Sequence, residues 1–409
     1  GIDNNLSLEG KRKEIQRSKY GVSENRSKLL PQINAIAGYS NNFDPPVSVT
    51  DGSSYGVPYN LTQTLQHSAN AGLEMQMPLF NQTLYTSMSI AKVMEEISRL
   101  SYGKAREDVI LQISKMYYLG QVTAEQIMLI KANITRLEEL RDITQAFFDN
   151  GMSMEVDLKR VNINLENLKV QYDNAQAMMK QQLNMLKYIM DYPAEKEIAL
   201  TPVNTDSITT VALTGLSENI YELQLSQSQV QLAERQKKII TNGYIPSLSL
   251  TGSWRYAAYT DKGYHWFHSG PSNQWFRSYG VGLTLRIPIF DGLDKTYKIK
   301  KAMIDIENKR LAWEDARKNL QTQYLNAVND LMNNQRNFKK QKDNYLLAED
   351  VYAVTSDRYR EGIASMTEVL QDEMQMSEAQ NNYISAHYNY RVTNLMLLKL
   401  TGQIESLVK

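Results

Sequence analysis

The 409-residue sequence contains no cysteine, which excludes disulfide bonds, thiolate metal sites and a cysteine nucleophile. It also lacks any uncharged apolar run of about 18 residues, the length that a transmembrane helix requires. Its 45 basic and 45 acidic residues balance, so the net charge gives no indication of nucleic-acid binding. We therefore expect a folded protein with no transmembrane helix and no nucleic-acid partner.

Catalytic motifs are missing as well. The sequence has no G-x-S-x-G elbow, no glycine-rich phosphate loop and no H-E-x-x-H pair. Of the four histidines, His67 and His387 stand alone, while His265 and His268 have a spacing that occurs in metal sites. Without further ligands nearby, a pair on a surface loop is the better interpretation, and we expect no enzyme activity, no cofactor and no metal.

What the sequence does contain is a repeat. "LEMQMPLFNQ" near residue 78 returns 210 residues later as "LTLRIPIFDG", and "GMSMEVDL" returns as "GIASMTEVL". The order of these landmarks indicates a tandem duplication, with a first repeat at 1–190, a linker at 191–216 and a second repeat at 217–409. The landmark residues are Pro78, Phe80, Asn81, Pro288, Phe290 and Asp291 in the first pair, and Gly151, Ser153, Met154, Gly362, Ser365 and Met366 in the second.

Each repeat carries a stretch in which apolar and polar residues alternate. This period of two is typical of a strand with one apolar face. Similar but less regular stretches follow Pro31 and Pro246, so we predict four strands of about ten residues within 31–80 and 246–290. Turn-rich segments at 43–60 and 261–276 are predicted to be hairpin loops. The residues expected to face lipid are Leu73, Met75, Met77, Leu283, Leu285 and Ile287.

The rest of each repeat is almost free of proline and predicts helices over 6–30, 82–190, 217–243 and 293–401, broken only at the glycine turns. The second helix of the first repeat has a heptad seam through Val161, Leu165 and Leu168 and a second apolar strip through Ile163 and Val170. Two seams indicate a helix with neighbours on both sides. At the start of each long helix, the proline should end strand pairing and the following Asn81 or Asp291 should cap the helix.

Four strands cannot close a barrel, and an open sheet leaves its edges unpaired. We therefore expect three chains to combine twelve strands into a β-barrel on a tube of twelve helices. Strands of this length with one apolar face suit a membrane barrel. The predicted fold class is a mixed α and β membrane protein. The alternative of an ordinary soluble sheet packed on a core explains neither the repeat nor the paired long helices.

Together, the doubled junction motifs and the doubled glycine turns resemble the TolC-like outer-membrane efflux proteins. The resemblance implies a homotrimeric outer-membrane channel of a Gram-negative bacterium with a helical stem in the periplasm. It further implies a passive exit duct of a tripartite efflux pump or type I secretion system. The landmark residues of the glycine turns are then expected to dock a periplasmic adaptor that links the channel to an inner-membrane transporter.

The resemblance also implies a gate just after the glycine turns. Carried over by position, its residues are Asp157, Tyr359 and Glu368, with Gln371 and Asp372 near the place of a second acidic ring. We expect a hydrogen bond between Asp157 and Tyr359 to hold the gate closed, and a ring of Glu368 to favour cations. The sequence departs from the family at Gln371, where an aspartate is usual, and at Ala364, where an arginine is usual.

Two other functions stay open at the level of sequence. A soluble coiled-coil scaffold would use the long helices to bind partners without any pore. An adhesin or phage receptor would keep the fold and use the loops at 43–67 and 261–277. The aromatic residues between Trp254 and Tyr279 fit either a girdle at the membrane interface or a packed loop.

Overall fold

The computed structural model describes residues 1–45, 47–51, 53, 56, 58, 60–63, 65–202, 215–260 and 275–408. Along the chain, a helix, a set of strands, a very long helix and a shorter helix occur in this order twice. The first set is α1 (Leu6–Ser27), β1 (Gln32–Asn41), β2 (Val47–Thr50), β3 (Asn60–Gln63), β4 (His67–Phe80), α2 (Gln82–Asp149) and α3 (Glu155–Met190). The second set is α4 (Tyr221–Asn242), β5 (Ser247–Thr260), β6 (Trp275–Arg286), α5 (Asp294–Arg360) and α6 (Met366–Leu400), followed by a short 3₁₀ helix (Ile404–Val408).

Two compact units share these elements. The helical unit comprises Gly1–Ile15, Ile97–Gln227 and Arg310–Lys409, and the sheet unit comprises Gln16–Glu96 and Ser228–Lys309. Each unit therefore takes segments from both predicted repeats. The segments predicted for the barrel, 31–80 and 246–290, fall entirely within the sheet unit.

The sheet unit contains a four-stranded antiparallel sheet in the order β1-β4-β5-β6. The central pair, β4 with β5, joins one strand of each repeat. A separate two-stranded ribbon pairs β2 with β3. All of β2 and the first residue of β3 fall in the segment 43–60 that we predicted to be a loop, so that expectation is wrong for 47–50 and for Asn60. Alternation over four residues is too short to stand out from turn-forming neighbours, although Val47 and Val49 favour a strand.

The helices match their predictions closely. Helix α2 has the predicted bounds, and α5 is one residue shorter than predicted at each end. Helix α1 ends at Ser27, before the predicted residue 30, and α4 begins at Tyr221, after the predicted residue 217. The two long helices end two residues before Gly151 and Gly362. The φ angles of these glycines, 72° and 74°, lie in the left-handed region that glycine adopts without steric cost.

The core of the helical unit nearest the two glycine turns draws on α2, α3, α5 and α6. The predicted heptad seam of α3 is buried there, with Val161 fully covered. The second strip of α3 is exposed instead, since Ile163 keeps 61% and Val170 59% of its accessible surface. Within one chain, therefore, only one of the two predicted seams of α3 has a partner.

Residues 261–274 of the predicted loop and residues 203–214 of the predicted linker lie outside the described residues. The same holds for the aromatic residues Tyr264, Trp266 and Phe267 and for the histidine pair His265 and His268. The last two residues of the predicted loop, Trp275 and Phe276, belong to β6 instead. The two histidines that the structure describes have structural contacts. The Nδ1 atom of His67 lies 2.8 Å from the Tyr39 hydroxyl, and His387 is fully buried in the helical unit.

Candidate functional site: the sheet face and the glycine turns

The register of the sheet places the apolar residues of all four strands on one face. Leu73 lies opposite Ala35 on one side and Trp254 on the other, and Trp254 lies opposite Tyr279. Because side chains alternate between the two faces along a strand, the alternating apolar residues predicted for each strand lie on the same face of the sheet. Two residues away along each strand, the next row on the same face contains Ile33, Met75, Gly252 and Val281.

This apolar face is open to the surroundings in the single chain. Val281 keeps 79% of its accessible surface, and every residue of β6 is exposed. The opposite face carries polar groups, among them an ion pair between Glu74 and Arg255. A sheet with one bare apolar face and one polar face separates two different environments.

Of the six residues predicted to face lipid, five lie in strands on this face. Ile287 does not, because β6 ends at Arg286. The proline in the first repeat behaves differently from the expectation: Pro78 lies inside β4, opposite Ser249, and the register shifts between it and Phe80. A strand can hold proline where its hydrogen-bond ladder is already irregular. Strand pairing therefore continues past Pro78, whereas β6 ends before Pro288.

Asn81 and Asp291 lie just before the long helices, which begin at Gln82 and Asp294. The Asn81 side chain accepts hydrogen bonds from the backbone N–H groups of Thr83 at 3.1 Å and Leu84 at 3.4 Å, which caps α2 as predicted. Asp291 accepts instead from the backbone and the side chain of Lys295, at 3.3 and 2.8 Å. The hydrogen bond from the Lys295 side chain lowers the pKa of the Asp291 carboxyl below its ordinary value.

The two glycine turns share one backbone design. The N–H of Gly151 bonds to the carbonyl of Phe148 and that of Met152 to Phe147. In the second turn, Gly362 and Ile363 make the corresponding bonds to Tyr359 and Arg358. Both are the paired bonds that satisfy the last carbonyls of a helix beyond a left-handed residue.

The helices that leave the two turns are capped differently. In the second turn Ser365 forms a complete capping box, because its side chain accepts from the Glu368 N–H and its N–H donates to the Glu368 carboxylate. In the first turn the N-cap residue is Met154, which has no side-chain cap. The serine is the second residue after Gly151 but the third residue after Gly362, because Ala364 precedes it in the second turn. The sequence match of Ser153-Met154 to Ser365-Met366 therefore does not pair structurally equivalent positions.

This offset reverses the surroundings of the methionines. Met366 is the first residue of α6 and is buried in the core beside the turns. Met152 and Met154 keep 69% and 66% of their accessible surface. The first turn thus offers exposed methionines to a partner, whereas the second offers Gly362, Ser365 and the exposed neighbour Ile363.

In the structure, the residues expected to form the gate have partners other than those predicted. The Tyr359 hydroxyl is buried and donates to the Thr144 hydroxyl at 3.2 Å, while Asp157 pairs with Arg160 at 3.1 Å. The predicted bond between Asp157 and Tyr359 is therefore not formed in the structure. Thr144 is one helical turn from Phe147, whose ring contacts that of Tyr359 at 5.7 Å between centroids, so local packing holds the tyrosine against α2.

Of the acidic residues near the second turn, Glu368 belongs to the capping box. Hydrogen bonds from the Ser365 backbone and side chain lower the pKa of its carboxyl. Gln371 is exposed and Asp372 is half-buried. The most buried carboxylate of this stretch is Glu373, which we did not predict, and burial raises its pKa despite the opposing charge of Arg136.

Sequence analysis also missed a buried polar seam on α6. Glu373, Gln380 and His387 recur every seven residues and are all buried. Gln380 exchanges hydrogen bonds with Asn133 of α2 at 2.7 and 3.3 Å. The seven-residue spacing of polar residues was a visible signal, but polar residues at that spacing ordinarily mark a solvated helix face.

Two further features were sought among the described residues. In the described part of the chain, no helix contains a stretch with the hydropathy and length of a membrane-spanning segment. Nor do these residues contain a group of three or more His, Asp or Glu side chains arranged to hold a metal ion.

Comparison with known proteins agrees with this architecture. The family model described as "Outer membrane efflux protein" matches residues 2–190 and 212–403. The outer membrane protein TolC of Vibrio cholerae is 21% identical, over 94% of this chain and 84% of that protein. A probable efflux pump outer membrane protein of Pseudomonas putida, TtgC, is 23% identical over 88% of this chain and 75% of that protein.

Among solved structures, the outer membrane protein VceC of Vibrio cholerae has the same fold. It superposes with a TM-score of 0.77 at 14% identity and covers 98% of this chain and 94% of its own. The matched residues take in both sets of elements, the four-stranded sheet and both glycine turns. The chain belongs to the outer membrane efflux protein family.

Proposed function

We propose that the chain works as a trimer and forms the passive outer-membrane exit duct of a tripartite efflux pump or a type I secretion system. The observation that carries this proposal is the four-stranded sheet with one bare apolar face. Its outer strands β1 and β6 each pair on one side only within the described residues. In lipid an unpaired strand edge costs several kcal/mol for each unsatisfied backbone group, so the sheet needs strands from further copies.

Three copies of the sheet supply twelve strands. In this arrangement β6 of one copy pairs with β1 of the next, the apolar faces turn to the lipid, and the polar faces, with Glu74 and Arg255, line a lumen. The aromatic residues Trp254 and Tyr279 then lie on the lipid face. A soluble scaffold gives no reason for an apolar face of this extent.

The helical unit supports the same assembly. The exposed strip of α3 runs through Val156, Ile163, Val170 and Ala177 at steps of seven. Helix α5 has an exposed apolar strip at a similar distance from its own glycine turn, formed by Leu347, Val351 and Val354 at steps of four and three. Heptad strips of this kind pack against one another in coiled coils. We assign the α3 strip of one copy to the α5 strip of its neighbour, which closes twelve helical columns into a tube.

Charged substitutions on the two faces of β4 test the membrane assignment. Met75→Arg places a charge on the lipid face and should cost about 2 to 4 kcal/mol near the bilayer midplane. Gln76→Arg is the matched control, because the next residue along the strand points to the polar face. Assembly in outer-membrane vesicles should fall for Met75→Arg alone, and equal assembly of both variants contradicts the assignment.

Charges on the α3 strip test the assembly. The double variant Ile163→Glu, Val170→Glu should lower the mass measured by light scattering in detergent from three chains to one, because carboxylates would be buried at the interface. The control Asn162→Glu, Gln171→Glu adds two charges to exposed positions beside the strip. A trimeric mass for the first variant is incompatible with the proposed contact.

The glycine turns are proposed as the docking surface for a periplasmic adaptor. Their support is the exposed methionine pair of the first turn and the exposed Ile363 of the second. We retain Tyr359, Asp157, Glu368, Gln371 and Asp372 as residues of a closing tip, with Thr144 in place of Asp157 as the partner of Tyr359.

Single-channel conductance tests this tip. Tyr359→Phe removes the bond to Thr144, and Asp157→Ala releases Arg160, so both should raise conductance in planar bilayers relative to Asp173→Ala, an exposed position further along α3. Glu368→Gln should reduce the preference for cations. Unchanged conductance and selectivity in all three variants exclude a gate at these residues.

A further inference from the structure

The apolar face of the sheet divides into two unlike halves. Towards the long helices its rows contain aliphatic side chains, such as Met77, Leu250 and Leu283. At the opposite end, β5 and β6 contribute four aromatic side chains to this face: Trp254, Tyr256, Trp275 and Tyr279. Amphipathic aromatic rings concentrate where a membrane-spanning surface meets the aqueous interface. The aromatic half therefore marks the edge of the lipid-facing band that lies away from the helices.

One charged residue lies among these rings. Arg277 is opposite Tyr256 in the register of β5 and β6, so it belongs to the apolar face. In the described part of the four-stranded sheet, no other Arg, Lys, Asp or Glu lies on this face. The Arg277 guanidinium lies 5.9 Å from the centre of the Tyr279 ring. It makes no hydrogen bond or ion pair to any described residue, unlike Arg255 on the opposite face, which pairs with Glu74.

Strand geometry gives the level of Arg277 in the membrane. Leu285, near the end of β6 that leads to α5, is eight residues from Arg277. This separation is about 27 Å along the strand and, at a tilt of about 40°, about 21 Å along the membrane normal. The apolar band of a membrane barrel is about 25 Å tall. With Leu285 near one edge of the band, Arg277 lies near the other edge.

This level explains how the face can hold an arginine. Near the midplane of a bilayer, an arginine on the lipid face is strongly destabilising, whereas near the interface it costs little. At the interface the surrounding acceptors are the oxygen atoms of lipid headgroups. A guanidinium binds phosphate through two parallel N–H bonds, and an aromatic ring beside it restrains its orientation. The unpaired donors of Arg277 beside Tyr279 are therefore suited to a headgroup phosphate.

We propose that Arg277 and Tyr279 form a binding site for the phosphate of a lipid headgroup in the outer leaflet. The site rests on the proposed function, because it requires this face of the sheet to contact lipid. The leaflet follows from the chain direction, since this end of β6 points away from the helices that form the periplasmic stem. A trimer contains three such sites around its barrel.

Three variants separate the charge from its position. Arg277→Gln removes the charge and keeps a side chain of similar length. Arg277→Lys keeps the charge but loses the two parallel donors that match a phosphate. Arg286→Gln is the matched control, because it removes the same charge from the same strand. Arg286 lies opposite Ser247 on the polar face, at the end of β6 near the helices.

Binding of a phosphorylated lipid to the full chain in dodecyl maltoside tests the site. The probe is lipid A, whose sugar headgroup carries phosphate monoesters, and the reference is the same lipid after enzymatic removal of its phosphates. Native mass spectrometry measures the bound lipid at each concentration. The natural chain should bind the phosphorylated form at least about fivefold more tightly. Arg277→Gln should abolish this preference, Arg277→Lys should keep part of it, and Arg286→Gln should keep all of it.

Two results would overturn the site. The first is an equal preference for the phosphorylated lipid in the natural chain and Arg277→Gln, or no preference in the natural chain. The second is displacement of lipid A by inorganic phosphate at millimolar concentration but not by chloride at equal ionic strength, which would indicate a site for a free anion. Lipid that stays bound in inorganic phosphate supports a headgroup site.

The assembly of the variants separates this site from the channel itself. Arg277→Gln should remain trimeric by light scattering, because its side chain lies on the lipid face and not between copies. A trimer that has lost no phosphate preference overturns the headgroup site alone. Equal assembly of Met75→Arg and Gln76→Arg overturns the lipid-facing assignment, and the headgroup site with it.

Discussion

The two glycine turns have nearly the same sequence and the same backbone, yet they present opposite surfaces. In both turns the N-cap residue follows three positions after the left-handed glycine, and it is Met154 in one and Ser365 in the other. Because the second turn has one more residue before its serine, the serine reaches the cap and the methionine after it turns into the core. A shift of one residue thus separates a capped turn with a buried methionine from an uncapped turn with exposed methionines.

The largest expected difference between the turns concerns the methionines themselves. Met366→Ala should lower the free energy of unfolding by about 2 to 5 kcal/mol, because it leaves a cavity in a packed core. Met154→Ala should change it by less than about 0.5 kcal/mol, since the side chain is exposed in the single chain. Urea unfolding of detergent-solubilised protein, followed by circular dichroism, checks both values. Equal losses would mean that the two turns are packed alike.

The caps should show a smaller difference. Ser365→Ala removes the side-chain acceptor at the N-terminus of α6 and should cost about 1 kcal/mol. Met154→Ser adds an acceptor at the equivalent position of α3, with Asp157 at the third helical position, and should add about 0.5 to 1 kcal/mol. The same unfolding experiment measures both. A loss on Met154→Ser would show that the first turn depends on its exposed methionine for stability.

Acid should weaken the second turn through its cap. The Ser365 hydrogen bonds keep the pKa of Glu368 below its ordinary value of about 4.5. A carboxyl with a lowered pKa contributes stability above its ordinary pKa, and this contribution is lost as the pH falls through the lowered value. Hydrogen exchange of the Ser365 amide, which donates to the Glu368 carboxylate, should therefore accelerate below about pH 4.5, beyond its intrinsic pH dependence. The acceleration should be absent in Glu368→Gln, whose amide keeps the cap at every pH.

Oxidation should separate the turns with the smallest effect on stability. Met152 and Met154 are exposed, whereas Met366 and Met376 are buried, so dilute peroxide should convert the first pair to sulfoxides at least about tenfold faster. Peptide mass spectrometry at successive times measures the four rates, with Met374, an exposed residue of α6, as an internal reference. Similar rates at Met154 and Met366 would contradict the offset between the turns.

Much of the fold could be predicted from local patterns. The bounds of α2 follow from the strand pattern before Asn81 and the glycine turn after Asp149, and the parity of β4 follows from alternation around Leu73. The ribbon of β2 and β3 was missed because four alternating residues give too weak a signal. Strand pairing past Pro78 was missed because a bulge that accommodates proline depends on the partner strand β5.

The candidate site was less predictable than the fold. Resemblance located Tyr359 and Asp157, but their partners Thr144 and Arg160 depend on how α2 lies against α5 and on the local turn of α3. His387 stood alone in the sequence, and only the packing of α6 on α2 brings Glu125 to its Nδ1 atom.

The sequence by itself determined the bounds of the two long helices to within a residue, which face of each long strand is apolar, and that the plan occurs twice. These properties depend on the side-chain period and on proline and glycine, which act over a few neighbouring residues. Tertiary structure alone decided that Met366 is buried, that the Thr144 hydroxyl accepts a hydrogen bond from Tyr359, and that Arg391 lies next to His387. Such contacts join residues that lie far apart in the chain, and a displacement of one residue is enough to replace them.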